Sequence, residues 1–89
     1  MTALVRTFEF LGRRDANGAV DPSLEKALRE SGVVDIRQAA GEGEHVSADS
    51  VNYHRATMGA GKSYDNAKGT LDYAKSQGII RDHWAAKLA

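Results

Sequence analysis

The sequence predicts a mainly α fold, a small bundle of three to four short helices; an α+β fold with an N-terminal β-hairpin is the alternative. Two stretches, residues 21–40 and 63–86, carry apolar side chains at helical spacing and contain Gly32 or Gly78, which suit helix ends. The chain has 89 residues, 42% of them hydrophobic and 27% charged, as in globular domains. We therefore expect one small domain spanning residues 1–89.

The N-terminal segment fits two patterns. Residues 3–11 place apolar side chains at helical spacing, yet several of their residue types favour strands. The following Asn17-Gly18 pair is a hairpin signal, because both residues tolerate positive φ. We favour a strand with a short return strand near Ala19 and Val20, and keep a helix as the alternative for residues 3–20.

Three predicted helical segments come next, with a linker between the second and the third. Asp21 suits the N-cap and Pro22 the first helical position, so a helix begins there, with an apolar stripe formed by Leu24, Ala27 and Leu28. Asp35 is predicted to begin a short helix. The Gly- and Glu-rich residues 41–46 are the predicted linker between two helical halves. Ser47 is the predicted cap of a further helix that extends to Met58.

The C-terminal third contains the last two predicted helices. Ser63 or Asp65 caps the first, whose stripe is Tyr64, Ala67, Leu71 and Ala74, and Asp82 caps the second. The predicted core consists of Leu24, Leu28, Ile36, Val51, Leu71, Ile79, Ile80, Trp84 and Leu88.

The two halves share a pattern. Residues 27–40 align without gaps on residues 73–86, and both contain a helix end, a glycine and two β-branched aliphatic residues. An internal duplication and a merely recurrent corner both explain this similarity.

Composition limits the chemistry. Without cysteine the chain has neither a disulfide nor a thiolate zinc site, which fits the cytoplasm, and no segment is apolar enough for a membrane span. Residues 58–63 end in the Gly-Lys-Ser of a phosphate-binding loop, but the first glycine of that motif falls at Ala56 and the preceding residues look helical. No two histidines have metal-ligand spacing. We predict no catalytic residue, no metal, no cofactor and no enzymatic activity.

Protein recognition is the predicted function, as a regulator, adaptor or inhibitor that forms a homodimer or joins an assembly. Aromatic residues and arginine dominate interface energetics, so the predicted partner-binding residues are Tyr73, Tyr53, Tyr64, Trp84 and Arg55. Tyr73 lies off the apolar stripe and is expected to be exposed. The alternative is a helix-turn-helix-like nucleic-acid-binding protein, with helices around residues 59–61 and lysines nearby. Twelve basic and twelve acidic residues give zero net charge, which does not favour it.

Overall fold

The protein is a four-stranded antiparallel sheet with two helices. The computed structural model describes residues 5–13, 18–39, 46 and 51–86. The elements in chain order are β1 (Thr7–Gly12), α1 (Pro22–Glu30), β2 (Val33–Gln38), β3 (Tyr53–Met58), α2 (Tyr64–Ser76) and β4 (Ile80–Ala85). The strand order is β2-β3-β1-β4, with every neighbouring pair antiparallel. This βαββαβ order defines a ferredoxin-like α+β topology. The prediction of a mainly α bundle, a small helical domain, is therefore wrong.

Each helix leads into a strand, and not into the second helix that the sequence predicts. After Gly32, which has a φ of 104°, Val33 is 3% exposed and Val34 is 61% exposed. This alternation is that of a strand, so the segment predicted to begin a helix at Asp35 is instead β2. A helix end with a glycine and two β-branched residues after it suits a strand equally well, because β-branched residues favour strands. Asp82 likewise lies within β4 and caps no helix.

The segment before α2 is also a strand where the sequence predicts a helix. Residues 53–58 form β3, whose buried His54, Ala56 and Met58 alternate along the strand. Three buried residues spaced by two fit a strand and not a thin helical face. The predicted cap Ser47 and linker residues 41–45 lie outside the described residues. Val46, the last residue of that linker, is buried.

The N-terminal segment is a strand, as its residue types favour, but it has different partners from those expected. β1 lies in the middle of the sheet, between β3 and β4. The predicted return strand near Ala19 and Val20 is wrong, since these residues belong to no strand. The central position suits β1 because Phe8 and Phe10 are large side chains that are almost fully buried there.

Of the predicted helices, those that begin after Asp21 and Ser63 are confirmed. The Asp21 side chain accepts a hydrogen bond from the Leu24 backbone N–H at 3.1 Å, and Pro22 is the first residue of α1. Ser63 caps α2 in the same way through the Asp65 N–H at 3.1 Å. The predicted stripe of α2 is buried: Tyr64, Ala67, Leu71 and Ala74.

The main core lies between the helices and one face of the sheet. Of the predicted core, Leu24, Leu28, Leu71 and Ile80 are buried, and Ile36 and Ile79 pack against them partly buried. Val51 is 56% exposed, so its core assignment is wrong, and Leu88 lies outside the described residues. Trp84 belongs to a different cluster. The core residues absent from the predicted set are Phe8, Phe10, Val33, Ala56, Met58, Tyr64, Ala67 and Ala74.

Several equivalent points of the two halves lie 46 residues apart, although β4 begins and ends 47 residues after β2. β3 begins and ends 46 residues after β1, and the last residues of α1 and α2, Glu30 and Ser76, have the same separation. Gly32 and Gly78, also 46 apart, both have positive φ and come after the helices. The aligned segments therefore mark a βαβ unit used twice. Both corners lead from a helix into a strand.

Within the ranges that the structure describes, no helix is long and apolar enough to cross a membrane.

Candidate partner-binding face

Neither of the two described helices covers the sheet face on the side away from the main core, which we call the open face, and a row of side chains crosses it. The row follows the strand register: Arg37 of β2 is opposite Arg55 of β3, Arg55 is opposite Glu9 of β1, and Glu9 is opposite Trp84 of β4. We call these four residues the open-face row. Their side chains alternate with core residues such as Phe8 and Phe10, which explains their position on the opposite face.

Glu9 connects three strands. Its Oε2 accepts a hydrogen bond from Arg55 Nη2 at 3.1 Å, and its Oε1 accepts one from the Trp84 indole at 3.0 Å. Only 8% of Glu9 is exposed, although it lies on the face that the helices leave uncovered. A carboxylate this shielded is stabilised by being paired and hydrogen-bonded. Glu9 thereby holds the arginine and the tryptophan in fixed positions.

An apolar cluster adjoins the open-face row. Leu11, Val46 and Tyr53 are buried there, with Ala39 and Trp84 packed against them. The Tyr53 and Trp84 rings stack with centroids 6.2 Å apart and planes inclined by 23°. The Arg55 guanidinium lies 3.4 Å from the Tyr53 hydroxyl. A rigid aromatic pair beside an arginine is a combination of side chains enriched at binding surfaces.

The two arginines of the row border a shallow groove. The groove measures about 370 Å³ and is lined by Asp35, Arg37, Gln38, Ala39, Arg55 and Thr57. Arg37 pairs with Asp35 at 2.9 Å, and the Arg37 and Arg55 side chains are 80% and 55% exposed. Each guanidinium has five N–H donors, more than a single carboxylate uses. Both guanidinium groups therefore keep N–H donors for a further acceptor.

The structure brings three of the five predicted partner-binding residues together: Tyr53, Arg55 and Trp84. Tyr64 is buried beneath α2, where its ring lies 5.1 Å from that of Phe8, so it is not available to a partner. Tyr73 is 66% exposed on α2, as expected, but lies on the helical layer, away from the open face. Sequence reasoning missed Glu9 and Arg37. A single charge between Phe8 and Phe10 was the available signal for Glu9.

A second polar group joins α2 to β4. The Tyr64 hydroxyl lies 3.2 Å from His83 Nδ1, and His83 Nε2 lies 2.6 Å from Asp72 Oδ1. Burial, with the charges of Asp72 and Asp65, raises the pKa of the Tyr64 hydroxyl. A phenol with a raised pKa is a poor nucleophile at neutral pH, so we interpret this group as a structural link.

The loop resembling a phosphate-binding loop comes after a strand and precedes a helix. The expectation of a helix before it is wrong, because β3 ends at Met58. Other differences from the motif remain: Ala56 replaces the first glycine, and the sheet is antiparallel. The same strand makes the helix-turn-helix interpretation wrong, since residues 59–63 join a strand to a helix.

Comparisons with known proteins leave the fold and this face as the basis for a functional proposal. No family model matches the sequence, and no curated protein or solved structure matches it at a significant level. The class that the fold defines is a ferredoxin-like α+β domain whose open face carries a charged and aromatic row.

Proposed function

We propose that the protein is a non-enzymatic protein-interaction module, a regulator, adaptor or inhibitor, whose open sheet face binds an acidic segment of a partner protein. The observation that carries the proposal is the open-face row, in which Arg37 and Arg55 lie side by side and Trp84 is held by Glu9. Arginine and aromatic side chains fixed in this way lose little conformational freedom on binding.

Unused hydrogen-bond donors would select the partner. Each guanidinium at the groove is already paired with one carboxylate, Arg37 with Asp35 and Arg55 with Glu9, and each keeps further N–H groups. An aspartate or glutamate of the partner would accept from the remaining donors of both arginines. The partly buried Trp84 offers an adjacent apolar contact, and the buried Tyr53 ring supports it by stacking. Rim charges of this kind contribute mainly to specificity and association rate.

Two further parts of the proposal rest on sequence. We propose a cytoplasmic location because the chain has no cysteine, and a homodimer or larger assembly because the domain is small. The sheet edges fit such an assembly, because β2 and β4 each have one side without a sheet neighbour among the described residues. If the chain sediments as a stable monomer at micromolar concentration, the homodimer proposal is refuted.

The experiment compares capture of partners from the native cell by three tagged forms: the unmodified chain, Arg37→Glu and Lys26→Glu. Lys26 is exposed on α1, so its variant matches the charge change in the helical layer. We expect the Lys26 variant to retain a captured protein that the Arg37 variant loses. Capture of the same proteins by all three forms would refute the open face as the binding surface.

Nucleic acid is tested with the same variants. Binding of duplex DNA that falls steeply with increasing salt, and that requires Arg37, would favour the nucleic-acid alternative over protein recognition.

A further inference from the structure

A cleft lies on the helical side of the sheet, opposite the proposed binding face. It measures about 320 Å³ and lies between the end of β1, the start of α1 and the residues leading into β4. Its walls include the apolar side chains of Phe10, Val20, Leu24, Ile79 and Ile80, together with the imidazole of His54. This volume is within the range of small-molecule sites.

His54 is the buried polar side chain of the cleft, whose lining also includes the charged residues Arg13 and Asp21. His54 is 1% exposed and stacks on Phe10, with ring centroids 5.1 Å apart. Among the described residues, neither His54 ring nitrogen has a hydrogen-bond partner. Buried polar groups are almost always hydrogen-bonded, because leaving them unpaired costs free energy. Burial also lowers the pKa of His54, so at neutral pH the ring is uncharged, with one donor and one acceptor.

The approximate repeat offers a comparison for this space. The residue 46 positions before His54 is Phe8, and the Tyr64 ring packs on Phe8 at 5.1 Å. The residue 46 positions before Tyr64 is Gly18, which has no side chain. In addition, α2 begins at Tyr64, whereas α1 begins at Pro22, about one helical turn after Gly18, the position equivalent to Tyr64. The second half covers Phe8 with the Tyr64 ring and the first turn of α2. Within its described part, the first half has no equivalent ring or helical turn to cover His54.

We propose that the cleft binds a small uncharged aromatic molecule with a hydroxyl group or ring nitrogen, which hydrogen-bonds to His54. Such a molecule would occupy the position that the phenol of Tyr64 occupies in the other half. The apolar walls accept its ring. The His54 nitrogens each expose less than 1 Å², so the imidazole turns towards the cleft to pair with the polar group of the ligand. This site is separate from the open sheet face, so either proposal can fail without the other.

The experiment is a titration of the ¹⁵N-labelled chain, monitored by NMR, with p-cresol, the side-chain analogue of tyrosine, and with toluene, which lacks the hydroxyl. We expect p-cresol to shift the amides of Phe10, Leu24 and Ile80 and the ring nitrogens of His54. It should bind about five- to tenfold more tightly than toluene, as one net hydrogen bond predicts. Absence of these shifts at millimolar p-cresol, or equal binding of the two probes, would overturn the proposal.

Two variants in the cleft and one control variant on α2 test the site. In His54→Phe, p-cresol should lose its advantage over toluene. Val20→Phe should fill the cleft and weaken both probes, whereas Asn66→Phe, at the equivalent position on the exposed side of α2, should weaken neither. Unchanged p-cresol binding by a folded Val20→Phe chain would refute this location. Tighter binding of N-acetyltyrosinamide than of p-cresol would overturn the assignment to a free small molecule in favour of a tyrosine side chain.

Discussion

Glu9 and Arg55 occupy equivalent positions in the two βαβ units, 46 residues apart, and are also cross-strand partners joined by a 3.1 Å ion pair. A residue can face its own counterpart only where an approximate two-fold axis passes between the two. The axis therefore lies at the centre of the sheet, between β1 and β3. The proposed binding face is built around it, and the cleft at His54 marks a place where the two units differ.

Substitution of Glu9 should separate its two roles. Glu9→Gln removes the ion pair but leaves an acceptor for the Trp84 indole, whereas Glu9→Met removes both acceptor oxygens at similar volume. Because the Arg55 side chain is half exposed, we expect Glu9→Gln to lower the free energy of unfolding by at most about 1 kcal/mol. Glu9→Met should cost about 1 kcal/mol more. Urea unfolding monitored by Trp84 fluorescence measures both. A Glu9→Met variant as stable as the unmodified chain would contradict this role.

The two equivalent glycines should tolerate alanine differently. Gly32 and Gly78 both have positive φ, so alanine costs about 1 kcal/mol at each. At Gly32 the added Cβ would also lie 2.8 Å from Cγ and 2.9 Å from Cβ of Lys62, whereas nothing described lies within 4 Å at Gly78. We expect Gly32→Ala to be the more destabilising by roughly 1 kcal/mol, because one of the atoms it meets cannot rotate away. Equal urea midpoints for the two variants would show that Lys62 yields without cost.

Acid should destabilise the protein through His54. Burial lowers the pKa of His54 in the folded state from about 6.5 in the unfolded chain. As the pH falls below 6.5, the unfolded state binds a proton that the folded state does not, so stability decreases. His54→Phe should reduce this loss, and His83, the histidine linked to Tyr64, is present in both chains. The decrease in urea midpoint between neutral and mildly acidic pH, compared between the two chains, measures the contribution of His54. An identical pH dependence would show that His54 does not titrate differently on folding.

The tyrosines of α2 should separate stability from recognition. Tyr73 is 66% exposed, so Tyr73→Ala should change the free energy of unfolding by less than about 0.5 kcal/mol. Tyr64 packs on Phe8 and bonds to His83, so Tyr64→Ala should cost about 3 kcal/mol. Thermal and urea unfolding of both variants test this. Partner capture lost in Tyr73→Ala with unchanged stability would move the interface from the sheet to the helical layer.

The helices are predictable because their signals are local. Asp21 with Pro22, and Ser63 before an apolar stripe, fix helix starts through hydrogen bonds within one turn. The strands depend on pairing across the chain: β1 becomes central only through its contacts with β3 and β4. The sequence signal for β2 is the Val33-Val34 step, which suits a strand but is equally compatible with the entry to a helix.

The candidate site is predictable by residue type but not by position. Tyr53, Arg55 and Trp84 are of the types that dominate interfaces, and their convergence results from a strand register that no local pattern encodes. The size of Trp84 predicts a place in the core. It lies instead on the open face because Glu9 accepts from its indole N–H and Tyr53 supplies a stacking surface.

The most direct test of the open face is an NMR titration of the ¹⁵N-labelled chain with an acidic peptide, compared with a control peptide in which Asn and Gln replace Asp and Glu. We predict that the acidic peptide shifts the amides around Arg37, Arg55 and Trp84, that the control peptide does not, and that Arg37→Glu abolishes the response while Lys26→Glu preserves it. Shifts confined to α1 and α2, or equal shifts with both peptides, would contradict the claim that this face recognises an acidic partner.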